Sequence, residues 1–254
     1  MSAPIFVLVH GAYHGAWCWE RLIPLLAARG ARVAAPDLPG HGADRTPTPA
    51  LSLSLYADHV AEAVRRIEAP VTLVGHSMAG AVIAEVAERV PDALSRLVYL
   101  TAYMPTDGES ILDWARRDED TRARAQKIDV EGVSCLTVDR ETVWDAFYQD
   151  ASEQDLDWVF PNLRPEPMTV FRQALRLSAE NFGRVPRDYV SCRQDLTITP
   201  RLQDDMLDAL PARRTWDMDC GHSPFVVCPE YLAEVLMGGE QAAGVLATVK
   251  RDGI

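Results

Sequence analysis

Val71-Thr72-Leu73-Val74-Gly75-His76-Ser77-Met78-Ala79-Gly80 is the stretch on which the fold turns. Val71 to Val74 is a short apolar, β-branched run of the kind that forms a buried strand. Met78 to Val90 carries apolar residues at helical spacing. Ser77 therefore falls on a tight strand-to-helix turn, where its hydroxyl is exposed and the helix N-terminus lies behind it. Small neighbours suit such a turn because backbones approach closely and φ is strained. The pattern departs from G-x-S-x-G at its last position, where Ala79 stands and Gly80 follows one residue later. Ser77 is the candidate nucleophile.

Working outward, the first hundred residues alternate strand and helix. Ile5 to Val9 reads as a strand buried on both faces, Trp17 to Ala28 as a helix stopping at Gly30, and Arg32 to Ala35 as a second strand. A helix over Leu53 to Ile67, the strand before Ser77, the helix after it and a strand over Leu97 to Leu100 continue the series. Such βαβα alternation predicts an α/β fold, a mostly parallel sheet with helices on both faces. After Tyr103 the pattern breaks. From Met104 to Pro186 the sequence offers charged helical stretches rich in aromatics and no clean strand. Strand and helix resume with Arg187 to Cys192, Pro200 to Leu210, Arg214 to Met218 and a final helix from Pro229. The expected organisation is a core of residues 1–103 and 187–254, with residues 104–186 inserted as a helical cap.

A serine hydroxyl needs a base, and the base needs a third group to hold its tautomer. Of the six histidines only His222 follows the insertion, in a loop after the last predicted strand. Asp195, just past the strand ending at Cys192, is the candidate acid. Asp204 and Asp205 fall on a helix, and Asp217 and Asp219 lie too close to His222 along the chain. Acyl transfer also requires two backbone N–H groups facing the developing oxyanion. Met78, directly after the nucleophile, supplies one, and Ala12 in the loop after the first strand is placed for the other. His10 and His14 in that loop read as structural hydrogen-bonding groups. The aromatics Tyr13, Trp114, Trp144, Phe147, Trp158 and Phe160 are expected to roof an apolar substrate pocket.

Thirty-seven acidic against twenty-five basic residues give a formal charge of -12, which opposes a role resting on phosphate neutralisation. No run approaches the ~20 apolar residues of a membrane span, and Ile5 to Val9 lacks the basic leader of a signal peptide. The five cysteines show no metal-binding spacing and read as free thiols in a reducing compartment, so no metal and a cytoplasmic location are expected. The expected partner is a small-molecule ester, with no nucleic acid and no membrane; a homodimer is left open.

Three segments resemble the α/β-hydrolase superfamily, and within it the plant methylesterases, hydroxynitrile lyases and their bacterial esterase relatives. They are Phe6 to Trp19, Val74 to Gly80 and Asp219-Cys220-Gly221-His222-Ser223-Pro224. The resemblance implies a triad of Ser77, Asp195 and His222, an oxyanion hole from the Ala12 and Met78 amides, and no cofactor. It also implies that lyases carry a threonine at the position of Ala12 and a lysine at that of Ser223. The expected function is hydrolysis of a small, apolar carboxylic ester through an acyl-enzyme. The alternatives are a hydroxynitrile lyase, a thioesterase or cyclase of a biosynthetic intermediate, and a catalytically idle binding protein.

Overall fold

The computed structural model describes residues 3–239; the outermost ends of the expected core, 1–2 and 240–254, lie outside the described residues. Strand β1 (Ile5–Val9) is buried throughout. A 3-10 turn (Ala16–Trp19) leads to α1 (Leu22–Ala28) and β2 (Arg32–Ala34). The single helix expected over Trp17 to Ala28 is thus split. Pro24 cannot donate to the carbonyl four residues back, so the helix restarts with the proline in its first turn. Helix α2 (Leu53–Arg65) opens on Ser52, whose hydroxyl accepts from the Leu55 N–H. Then follow β3 (Val71–His76), α3 (Ala79–Arg89) and β4 (Leu94–Leu100).

The insertion differs from its expectation. It holds the short helices α4 (Ile111–Ala115), α5 (Arg140–Thr142), α6 (Glu153–Val159) and α7 (Met168–Arg172), but also three strands. Strands β5 (Gln126–Val130), β6 (Val133–Thr137) and β7 (Glu166–Pro167) form a small antiparallel sheet. The expectation of a purely helical cap is therefore corrected. Strand β5 is exposed along most of its length, so it carries no apolar alternation for a sequence pattern to register. Its one local signal is the two-residue turn Glu131-Gly132, where both φ values are positive (55° and 79°), as a tight hairpin of the correct twist requires.

The chain returns to the core with β8 (Arg187–Cys192), α8 (Pro200–Ala209), β9 (Arg214–Met218), a short α9 (Pro224–Val227) and α10 (Pro229–Leu236). The main sheet runs β2-β1-β3-β4-β8-β9, every pair parallel. Strand order reverses direction between β1 and β3. Right-handed crossovers then send α1 to one face and α2 and α3 to the other. Packing agrees: α2 lies against α3, and α1 against α10. The crevice at such a reversal, outside the carboxyl ends of the strands, is where ligands bind in open α/β sheets. The loops carrying Ala12, Ser77, Asp195 and His222 all leave carboxyl ends of these strands. Among the described residues no helix is long and apolar enough to cross a membrane.

Candidate active site

Ser77 occupies the turn between β3 and α3 with φ of 56°, a left-handed conformation that costs a non-glycine residue energy. Neighbouring backbone keeps it there: the Ser77 N–H donates to Leu100 O at 3.3 Å, and Ser77 O accepts from Tyr103 N at 3.0 Å. The departure from G-x-S-x-G has a simple explanation. Ala79 is fully buried and fits, whereas a Cβ at position 80 would lie 1.9 Å from the Tyr103 carbonyl oxygen. The glycine that this packing demands is Gly80.

The structure brings together the three side chains singled out from the sequence. His222 Nε2 stands 3.0 Å from Ser77 Oγ, and His222 Nδ1 stands 2.7 Å from Asp195 Oδ2. Asp195 is wholly buried, and both of its oxygens are occupied. Oδ1 accepts the Thr197 and Ile198 N–H groups at 2.7 and 3.0 Å. Oδ2 accepts the Thr101 hydroxyl as well as the imidazole N–H. A buried carboxylate needs such partners, and these also fix its rotamer. With Nδ1–H directed at Asp195, the Nε2 lone pair faces the serine hydroxyl, which is the tautomer of a base.

Ala12 and Met78 are both buried, and neither backbone N–H donates to any group among the described residues. His10 and His14 hold the loop between them. His10 donates through Nδ1 to Gly11 O and accepts the Leu38 N–H at Nε2. His14 donates through Nδ1 to Ala12 O at 2.7 Å and accepts the Tyr148 hydroxyl at Nε2, also 2.7 Å. Asp37 ties the loop after β2 to the same region by accepting the Ala16 and Ala43 N–H groups.

These histidines make acid a threat to the fold. Burial, reinforced by neighbouring imidazoles, holds His10 and His76 well below the ordinary value, and burial lowers His14 to about 4. An unfolded imidazole takes its proton near 6.5, so below that pH the unfolded chain binds more protons than the folded one. Stability is therefore lost as pH falls from about 6.5 toward 4, by about 1.4 kcal/mol per pH unit for each such group. His41 opposes this. Burial pushes it down, but the Glu166 carboxylate 3.1 Å away outweighs burial and raises it, so its contribution is lost as pH rises. Three against one leaves a net acid lability. The urea midpoint should drop from pH 7 to pH 5, and His14→Gln should make that drop shallower. Equal midpoints at the two pH values would contradict the account.

Of the six expected pocket aromatics, two stand at the site. Phe147 meets the His222 ring edge-to-face with centroids 5.5 Å apart, and Tyr13 packs on Phe147 at 6.0 Å. Two of the others have partners of their own. The Trp114 indole N–H donates to Glu109 and its face lies under Arg117. Trp158 packs edge-to-face on Trp17, with Arg21 over its ring. Trp144 and Phe160 are half-buried against the core. Sequence reasoning missed Thr101 and Tyr148. Thr101 directly follows β4 at the carboxyl edge of the sheet, the same positional signal that singled out Asp195. Tyr148 had no signal beyond its place beside Phe147.

A model of the Alpha/beta hydrolase family matches residues 6–235. Putative methylesterase 11, chloroplastic, from Arabidopsis thaliana is 31% identical across 91% of this chain, which spans 63% of that relative's length. Methylesterase 1 of Arabidopsis thaliana is 30% identical, with 91% of this chain and 94% of the relative aligned. The crystal structure of the methylesterase protein MES16 from Arabidopsis superposes with a TM-score of 0.82 at 26% identity, over 92% of this chain and 98% of that one. On the strength of a family match spanning nearly all of the described sheet, and of relatives at this identity, the chain belongs to the α/β-hydrolase family, in its methylesterase branch.

Proposed function

We propose that this chain is a serine-dependent carboxylic ester hydrolase that works through an acyl-enzyme on a small, apolar ester. The observation carrying this reading is the unbroken chain Ser77 Oγ, His222 Nε2, His222 Nδ1, Asp195 Oδ2, at 3.0 and 2.7 Å, on a serine held at positive φ. Ser77 Oγ attacks the ester carbonyl while His222 Nε2 takes its proton, and Asp195 stabilises the imidazolium that forms. The carbonyl oxygen gains negative charge opposite the free Ala12 and Met78 N–H groups, where preorganised donors are worth most. His222 then gives its proton to the departing alkoxide. Water enters, loses a proton to the same nitrogen, and releases the acid from Ser77. No cofactor takes part. The methylesterase names of its relatives support ester chemistry. Phe147 beside His222, with Tyr13 packed on it, supports an apolar substrate.

The hydroxynitrile lyase is the competing reading, and two positions count against it. Where the lyases carry threonine and lysine, this chain has Ala12 and Ser223. Ser223 is buried, its hydroxyl unpartnered among the described residues, and supplies no positive charge for a departing cyanide. Arg164, one of the cations the insertion could lend, is exposed; its backbone N–H donates to Tyr13 O. One preparation offered p-nitrophenyl acetate and mandelonitrile separates the readings. The expected result is a stoichiometric burst of p-nitrophenolate, lost in Ser77→Ala, and no benzaldehyde. Ser77-dependent release of benzaldehyde without ester turnover would overturn the proposal.

A further inference from the structure

Five consecutive residues of the insertion each touch a different part of the site. Ala146 O accepts the Thr197 hydroxyl at 2.9 Å, and the Phe147 ring abuts His222. The Tyr148 hydroxyl donates to His14, which in turn donates to Ala12 O. Gln149 Nε2 donates to Gln194 O at 2.6 Å, one residue before Asp195. Asp150 Oδ2 accepts the Gly221 N–H at 2.6 Å, one residue before His222. A regular helix could not direct five successive residues at one target, because neighbours point about 100° apart. Here the segment leaves a π-helical turn, Val143–Phe147, closed by the Tyr148 N–H on Val143 O at 3.0 Å, and Tyr148 then departs from helical geometry with φ of -138°.

The last two contacts bear on the acid and the base. Asp195 and His222 sit on loops, beyond the ends of β8 and β9, so the sheet ladder does not set the distance between them. Gln194 ties the loops to each other: its N–H donates to Cys220 O at 3.0 Å and its amide to Asp219 at 2.8 Å. Gln149 and Asp150 then anchor each loop to the same two-residue stretch of the insertion. Both side chains are half-buried, and each keeps one oxygen shielded from solvent without a partner among the described residues.

We propose that Gln149 and Asp150 are positioning residues for the acid–base pair, a clasp through which the insertion sets the register of the Asp195 and His222 loops. This rests on the ester-hydrolase reading. The clasp acts by hydrogen bond and shape. A group that acts through the base alters the chemical step more than substrate binding, and misplacement of a base by an ångström costs on the order of 10²-fold.

The experiment is steady-state kinetics on p-nitrophenyl acetate with Asp150→Ala, Asp150→Asn, Gln149→Leu and Ser77→Ala. Asp150→Ala should lower kcat by about 10- to 100-fold and leave KM within about threefold. Asp150→Asn keeps a carbonyl oxygen for the Gly221 N–H and should restore kcat to within about threefold of wild type. A wild-type kcat in Asp150→Ala, or an effect confined to KM as loss of a substrate roof would give, overturns the clasp. So does an Asp150→Asn variant as impaired as Asp150→Ala, because charge and not the hydrogen bond would then matter. Should Asp150→Ala fail to fold, Gln149→Leu decides: it should lower kcat about 10-fold at constant KM, and an unchanged kcat overturns the proposal. Ser77→Ala keeps the two readings apart, since only failure of the ester-hydrolase reading leaves that variant active.

Discussion

Ser77→Ala is expected to lower kcat on an aryl ester by about four to six orders of magnitude, and adding His222→Ala to it to cost almost nothing more. The reason is geometric. The imidazole Nε2 lies 3.0 Å from Ser77 Oγ and has no other hydrogen-bond partner among the described residues. Without the hydroxyl there is no proton to take; without the imidazole the hydroxyl stays a poor nucleophile. Either change disables the same step, so the losses overlap. What survives should be the modest acceleration supplied by binding and by the Ala12 and Met78 amides, which neither substitution touches. The comparison requires folded protein, checked by far-UV circular dichroism at pH 7. If the double variant lost the product of the two single factors, Ser77 and His222 would be acting separately and the proposed mechanism would be wrong.

Asp195→Asn tests the other end of the hydrogen-bond chain, and its expected cost is about 10⁴-fold in kcat with the fold retained. Oδ1 of Asp195 accepts two backbone N–H groups, from Thr197 and Ile198. An asparagine must leave its carbonyl oxygen there, because an NH₂ group would face two donors. Its NH₂ then takes the place of Oδ2, pointing at the Thr101 hydroxyl and at His222 Nδ1. Thr101 can rotate its hydroxyl and accept. His222 can accept only by giving up its Nδ1 proton and carrying the proton on Nε2 instead. Nε2–H then points at Ser77 Oγ as a donor, so the base is replaced by its opposite. Asp195→Ala should lower kcat less steeply per lost contact but destabilise more, since it leaves the Thr197 and Ile198 N–H groups buried and unpaired. The measurement is kcat and thermal midpoint for both variants. A kcat for Asp195→Asn within tenfold of wild type would show that the tautomer of His222 is not set by Asp195.

What the sequence determined alone is what local covalent chemistry encodes. The β-branched run before Ser77, the helical periodicity after it and the small residues at the turn are signals between near neighbours. Sterics and burial act on them wherever the segment lies, so the strand-turn-helix around Ser77 was legible, and so were the loops bearing Asp195 and His222 after β8 and β9. The order β2-β1-β3-β4-β8-β9, which sets those loops at one edge, depends on pairings between segments far apart in the chain. The insertion shows the same divide more sharply. Its exposed hairpin buries too little to need an apolar pattern, and its aromatics look alike in sequence although Phe147 meets His222 and Trp158 meets Trp17. Thr101 reaches Asp195 across 94 positions and Tyr148 reaches His14 across 134, distances over which no periodicity carries information. Only packing the insertion on the sheet decides which side chain faces the reacting groups, because that choice depends on which surfaces exclude water together and not on what each residue is.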